Sequence, residues 1–122
     1  MIGKDLAIRI AQAALDKKAE DLQVFDLRGL TSYTDYIVLC SGTSDRQVQA
    51  IAEGIEAELK TENARVLGTE GYEEGQWILL DYGDVIVHVF FQHVRDFYDL
   101  EGLWSDAPRL SVPGATSTSA QA

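Results

Sequence analysis

Three aspartates could supply the carboxylates of a metal-dependent transferase: Asp35, Asp81 and Asp84. Two-metal phosphoryl or nucleotidyl transfer requires carboxylates that converge on the metal ions from adjacent strand positions. Asp81 is expected at the end of a strand and Asp84 in the turn after it, and no Asp-x-Asp motif lies within a predicted strand. The spacing therefore favours solvated turn acids over a catalytic set.

A second candidate for chemistry is the segment Gly42–Asp45, which follows an apolar run and precedes a helical pattern. A strand, a glycine-containing turn and a helix N-terminus together can bind an anion. No GxGxxG motif and no P-loop lysine–serine pair accompany the segment, however. Ser44 followed three positions later by Gln47 is typical of a capping box. The favoured interpretation is a capped helix start, with a nucleotide-binding loop as the alternative.

The remaining nucleophile and metal-ligand candidates are isolated in the sequence. Cys40 is the only cysteine, which excludes an intrachain disulfide, and its apolar neighbours predict a buried, inert thiol. His88 and His93 do not form an HxxxH pair, and strand alternation places His88 on one face with Ile86 and Phe90. We therefore expect no catalytic residue, no cofactor and no metal, and the chain is not predicted to be an enzyme.

The elements that must position these residues follow from hydrophobic periodicity. The sequence predicts helices over 4–20 and 45–61, strands over 22–29, 36–40, 64–68, 77–81 and 85–91, and a helix over 92–104 that breaks near Asp99. A long helix between strands favours a parallel pair, and the glycine in Tyr82–Asp84 favours a tight antiparallel hairpin. The predicted fold class is α/β, with a mixed sheet of about five strands flanked by helices.

Length and composition predict a single domain over residues 1–106. Residues 107–122 contain two prolines and a Thr/Ser/Ala-rich end, which cannot bury enough apolar surface to offset chain entropy, so this segment is predicted to be a disordered tail. No run approaches the roughly 20 apolar residues of a membrane helix, and the first residues do not resemble a secretory signal. We expect a cytoplasmic protein without membrane association.

The charge of the chain restricts its partners. Twenty acidic residues stand against ten basic ones, which gives a formal net charge of −10. This field repels a phosphate backbone, so direct binding to DNA is disfavoured. The same field favours a basic protein partner, and the alternative is that the acidity only keeps the domain soluble.

Large aromatic residues cluster with acids in the second half of the chain. They are Trp77, Tyr82, Tyr98 and Trp104, near Glu70, Glu73, Glu74, Asp81 and Asp84 in sequence. Trp and Tyr are enriched among the hot spots of protein interfaces, and flanking acids would steer a basic partner. The alternative is that these aromatics complete the hydrophobic core.

Several motifs, in this order, also resemble those of a known family. They are DYIV at 35–38, SGTSDRQV at 41–48, WILLDYGDV at 77–85, HVF at 88–90, RDFYDLE at 95–101 and LW at 103–104. On these motifs the chain is similar to the ribosomal silencing factor family, also called RsfS or Iojap, from about Asp5 to Asp106. The resemblance implies a nucleotidyltransferase-like fold without catalytic residues.

The resemblance further implies a partner and a mechanism. The expected partner is the large ribosomal subunit, bound through its basic large-subunit protein fourteen, so that a bound repressor sterically blocks joining of the small subunit and dampens translation. Matching positions for the contact are Trp77, Asp81, Tyr82, Asp84, His88, Tyr98, Leu100 and Trp104. Of these, Tyr82, Asp84 and Tyr98 are expected to be exposed. The resemblance also implies a homodimer of the free protein. Alternative functions are an acidic dimeric adaptor for another basic protein and a nucleotide-binding transferase relative.

Overall fold

The structure, a computed structural model, describes residues 3–114, except for the side chain of Leu100. Its elements are α1 (Gly3–Asp16), β1 (Glu20–Asp26), β2 (Tyr36–Gly42), α2 (Asp45–Thr61), β3 (Gly68–Glu70), β4 (Trp77–Asp81), β5 (Val85–Phe91), α3 (Gln92–Tyr98) and α4 (Leu100–Leu103). The predicted α/β class is confirmed, and the predicted bounds of α2, β4 and β5 agree with the structure.

The five strands form one mixed sheet in the order β1-β2-β5-β4-β3. The parallel pair is β2 with β5, with Ile37 opposite Ile86 and Leu39 opposite His88. The other three pairs are antiparallel, and β4 and β5 form the predicted hairpin. β2 and β5 lie in the middle of the sheet, which explains why both strands read as continuous apolar runs.

One face of the sheet is covered by α1 and α2. Both helices place an apolar stripe on the sheet, as their 3.6-residue periodicity predicts. The buried members of the stripes include Leu6, Ile10, Val48, Ile51, Ile55 and Leu59. Each such side chain contributes roughly 1.5–3 kcal/mol when fully buried, so this layer supplies most of the hydrophobic stabilisation.

The opposite face carries a smaller core, which we call the second face. Its buried members are Phe25, Leu27, Ile37, Leu39, Ile86, Phe90 and Ala107, and Trp77, Leu79, Val94 and Trp104 pack against them. The segment from α3 to Ala107 covers only part of this face. The side chains of β4 show the difference, because Ile78 and Leu80 under the helices are buried whereas Trp77, Leu79 and Asp81 are half-exposed.

Several element boundaries differ from the sequence-based prediction: β1 spans Glu20–Asp26 instead of 22–29, and β2 continues to Gly42 instead of ending at residue 40. Helix α1 ends at Asp16 rather than at residue 20, because Lys18 adopts a left-handed backbone (φ 64°) and Ala19 donates its N–H back to the Ala14 carbonyl. The short strand lies at Gly68–Glu70 instead of 64–68. Before it, Ala64 and Val66 pack on the helix-side core outside the strand ladder.

The chain beyond residue 106 corrects the prediction of a disordered tail. The Pro108 carbonyl accepts the Asp26 N–H at 2.8 Å, Leu110 donates its N–H to the Val24 carbonyl at 2.9 Å, and Ala107 and Val112 are buried. The physical reason is that β1 is an edge strand with unpaired backbone groups, and this segment satisfies them although it is poor in apolar residues. Residues 115–122, for which disorder was also predicted, lie outside the described residues.

Candidate partner-binding surface

The centre of the exposed part of the second face is Trp77 at the start of β4. Its ring centroid lies 4.9 Å from that of Phe90, 5.0 Å from that of Tyr98 and 5.9 Å from that of His88. Trp77 and Phe90 are opposite each other in the β4–β5 ladder, which brings their side chains together. We call Trp77, Leu79, His88, Phe90 and Tyr98 the aromatic face.

His88 is held in a defined state beneath Trp77. The Trp77 Nε1–H donates a hydrogen bond of 3.0 Å to His88 Nδ1. Because Nδ1 accepts, the proton of the neutral ring is on Nε2. Burial lowers the pKa of His88 from 6.5 to about 4, so the ring is uncharged at neutral pH. The sequence-based placement of His88 on one face with Ile86 and Phe90 agrees with this geometry.

Helix α3 extends the aromatic face into solvent. Tyr98 is 52% exposed, and its ring meets that of Phe97 edge-on at 5.0 Å. Leu103 in α4 is also exposed. Large apolar side chains that are exposed close together in sequence, next to a half-exposed tryptophan, are typical of a protein-interaction site.

Acids flank the aromatic face at the β4–β5 turn. Asp81 is half-exposed, and its Oδ1 accepts the Gly83 N–H at 2.8 Å. Asp84 is exposed, and its carbonyl accepts the N–H groups of Asp35 and Tyr36. The turn is therefore fixed by hydrogen bonds, and its carboxylates lie at the surface as the turn-acid interpretation predicted.

The structure corrects the expectation that Tyr82 is exposed. Tyr82 is only 8% exposed and belongs to the helix-side core, where its hydroxyl has no hydrogen-bond partner. Burial raises its pKa well above the ordinary value of 10. The reason is that the alternation of β4 continues for one residue into the turn, so Tyr82 follows Ile78 and Leu80 rather than Asp81. It is therefore not part of the surface.

The remaining predicted contact residues differ in accessibility. His88 is buried, Trp104 is half-buried against the second-face core, and the side chain of Leu100 lies outside the described residues. Trp77, Asp81, Asp84 and Tyr98 are accessible to a partner. Leu79 and Phe97 are also accessible and were not among the contact residues predicted from the sequence. The signal for Leu79 was present, since it alternates in phase with Trp77.

The other candidate sites fit structural roles. Ser44 caps α2 by accepting the Gln47 N–H at 3.0 Å, and the Gln47 side chain bonds back to Thr43. Cys40 is fully buried, and burial raises the pKa of its thiol to about 12. Within residues 3–114 no group of His, Cys, Asp and Glu side chains is arranged to hold a metal ion. No helix in that range is both long and apolar enough to cross a membrane.

Comparison with known proteins decides the family. The family model described as "Ribosomal silencing factor during starvation" matches residues 3–122 of the chain. The chain belongs to the ribosomal silencing factor family. The match also corrects the expectation that the resemblance ends near Asp106, since it includes the segment that pairs with β1. The chain is therefore assigned to a family whose name indicates regulation of translation by silencing of ribosomes.

Individual relatives agree with this assignment. The chain is 46% identical over 102 residues to the ribosomal silencing factor RsfS of Bacillus subtilis, and the matched region covers 83% of this chain and 86% of the relative. A crystal structure of a Chromobacterium violaceum protein matches with a TM-score of 0.84 at 36% identity, over 94% of this chain and 95% of that one. A more distant relative is the mouse "Mitochondrial assembly of ribosomal large subunit protein 1", 30% identical over 92 residues, 73% of this chain and 40% of the relative.

Proposed function

We propose that this protein represses translation by binding the large ribosomal subunit, through large-subunit protein fourteen, and by sterically blocking the joining of the small subunit. The observation that carries the proposal is the family match over residues 3–122. The name of the mouse relative, which refers to the large ribosomal subunit, supports the choice of subunit. The protein would act in the cytoplasm, under nutrient limitation.

The aromatic face is the contact surface in this proposal. Trp77 and Tyr98 offer large ring surfaces on a sheet and a helix, and Trp77 is oriented by its bond to His88. Rigid aromatic side chains bind with little loss of conformational entropy, which makes them common anchors of interfaces. Asp81 and Asp84 would lie at the rim of the contact.

Charge supports a basic protein as the direct contact. A net charge of −10 repels the ribosomal RNA, whereas a basic ribosomal protein attracts the acidic rim and accelerates encounter. The aromatic face would then supply most of the affinity. The proposal therefore combines a salt-sensitive association rate with a largely salt-insensitive dissociation rate.

The mechanism is occlusion and involves no chemical step. A domain of this size, once bound on the face of the large subunit that meets the small subunit, excludes the small subunit by volume. The quantities that determine repression are the affinity and the residence time of the complex. In the absence of ribosomes, the same apolar side chains would pair two copies of the chain, and such a homodimer would compete with ribosome binding.

The proposal is tested by sedimentation of the purified protein with isolated large and small subunits at several salt concentrations. We expect pelleting with the large subunit alone, with weaker binding as salt rises. Absence of pelleting at low salt contradicts the proposal. An acidic adaptor would then be identified by binding to a non-ribosomal basic protein, and a transferase relative by a thermal shift with nucleotide and Mg²⁺.

A further inference from the structure

Arg95 in α3 is a charged residue at a position where a hydrophobic one would be expected. It is 4% exposed, and among the residues whose burial the structure describes it is the only Arg, Lys, Asp or Glu that is buried. Its Nε and Nη2 donate to the two carboxylate oxygens of Glu101, each at 3.1 Å, and Nη1 donates to Ser41 Oγ at 2.8 Å. This is a bidentate ion pair with a further anchor on the sheet.

The ion pair joins four segments of the fold. Arg95 belongs to α3, Glu101 to α4 and Ser41 to the end of β2, and Gln23 of β1 donates to Glu101 Oε2 at 3.0 Å. The apolar contacts of α3 and α4 with the sheet are limited: Val94 packs against the second-face core but is only partly buried, and Gly102 and Leu103 of α4 are exposed. The ion pair therefore adds a polar link to the sheet beside the apolar contacts of Val94 and Trp104.

The position of Tyr98 depends on this link. Tyr98 lies one turn after Arg95, and Asp99, whose backbone is left-handed (φ 46°), donates its N–H to the Arg95 carbonyl at 3.0 Å. Tyr98 itself is about half exposed, so its contact with Trp77 alone does not fix the helix end. Loss of the ion pair would remove the polar link of α3 and α4 to the sheet, and Tyr98 would be held less firmly beside Trp77.

We propose that Arg95 is a positioning residue for partner binding: through Glu101 and Ser41 it holds Tyr98 against Trp77, so that the aromatic face is already ordered before the partner arrives. This inference rests on the proposed function. Buried ion pairs are often replaced by apolar residues without loss of stability, so an ordering role is a reason to retain one. A preordered surface avoids the entropy loss of fixing these side chains on binding.

The test compares two pairs of substitutions. Arg95→Met with Glu101→Leu removes the buried ion pair without leaving a lone charge. Arg28→Met with Asp26→Leu is the matched control, because it removes another bidentate pair, with distances of 3.0 and 2.8 Å, at the surface. We expect the first variant to fold, to exchange the backbone amides of residues 98–103 at least about tenfold faster, and to bind large subunits about tenfold more weakly. The control should change neither.

A double-mutant cycle separates positioning from a general structural effect. In a Tyr98→Ala background, loss of the ion pair should weaken binding no further, since Arg95 acts through Tyr98. Fully additive effects, or undiminished binding of the ion-pair variant, overturn the proposal. If wild-type protein does not bind large subunits, the proposed function fails, and unchanged amide exchange then refutes the positioning role independently. If the ion-pair variant does not fold, Arg95→Lys provides the same test, because it keeps the charge but cannot form the bidentate pair.

Discussion

The most direct test of the aromatic face is the substitution Tyr98→Ala. A tyrosine side chain buries roughly 150–250 Å² when it is fully covered, and Tyr98 still exposes 52% of its surface in the free protein. A partner that covers the rest removes roughly 100 Å² from water, equivalent to about 2.5 kcal/mol at about 25 cal/mol per Å². We therefore expect Tyr98→Ala to weaken binding to large ribosomal subunits roughly 70-fold, mainly through faster dissociation.

The matched control is Tyr33→Ala. Tyr33 is 58% exposed in the loop between β1 and β2 and makes none of the ring contacts of the aromatic face, so the two variants remove the same side chain at similar exposure. Binding is measured by titration with isolated large subunits at fixed salt, and thermal melts confirm that both variants are folded. Two results would refute the reasoning: binding of Tyr98→Ala within twofold of wild type, or equal weakening by Tyr33→Ala.

Three further predictions concern stability and are checked by urea unfolding. Tyr82→Ala should destabilise the fold by about 3 kcal/mol because it leaves a cavity at a buried position. Tyr82→Phe should be neutral or stabilising because the buried hydroxyl has no hydrogen-bond partner. Equal destabilisation by the two substitutions would contradict this prediction. The pKa of His88 is lowered to about 4 in the folded state, so below pH 6.5 the unfolded chain takes up a proton that the folded one does not. The free energy of unfolding should fall by up to about 3 kcal/mol between pH 6.5 and pH 4, and more steeply for the wild type than for His88→Gln. If the unfolding free energies of the two proteins depend on pH in the same way, the ring is not buried in its neutral form. Deletion of residues 107–122 should cost about 2 kcal/mol from lost edge pairing and burial of Val112, whereas a chain ending at Gly114 should keep that stability.

Local patterns determined which elements could be predicted. Helix α2 was predicted from end to end because Ser44, its apolar stripe and the strand before it are all encoded within a few residues of one another. The end of α1 was missed because Lys18, and not a glycine, adopts the left-handed backbone that stops the helix. Residues 107–114 were missed because their order comes from the distant edge of β1, which composition does not reveal.

The residues of the candidate site likewise fall into those that the sequence could predict and those that only the fold reveals. Trp77 could be predicted as a contact residue from its motif, but which side chains of β4 face outward depends on the alternation along the strand. The alternation of side chains along β4 already indicated which residues share a face. It places Tyr82 in the core with Ile78 and Leu80. The role of Arg95 could not be predicted, since its partners Ser41 and Glu101 are 54 and 6 residues away and only the fold brings them together.

The half-covered second face itself argues for a partner. A sheet face that exposes Trp77 and Leu79 next to exposed Phe97 and Tyr98 is an aggregation hazard unless it is used. The fold limits that hazard, because the neighbouring edge strand β3 has only three residues and carries Glu70, and short, charged edges resist pairing with other sheets. The Trp77–His88 hydrogen bond and the Arg95–Glu101 ion pair also keep the exposed rings in one arrangement. Such an arrangement limits self-association of an apolar surface and keeps it ready for a specific contact, which is what the proposed mechanism of occlusion requires.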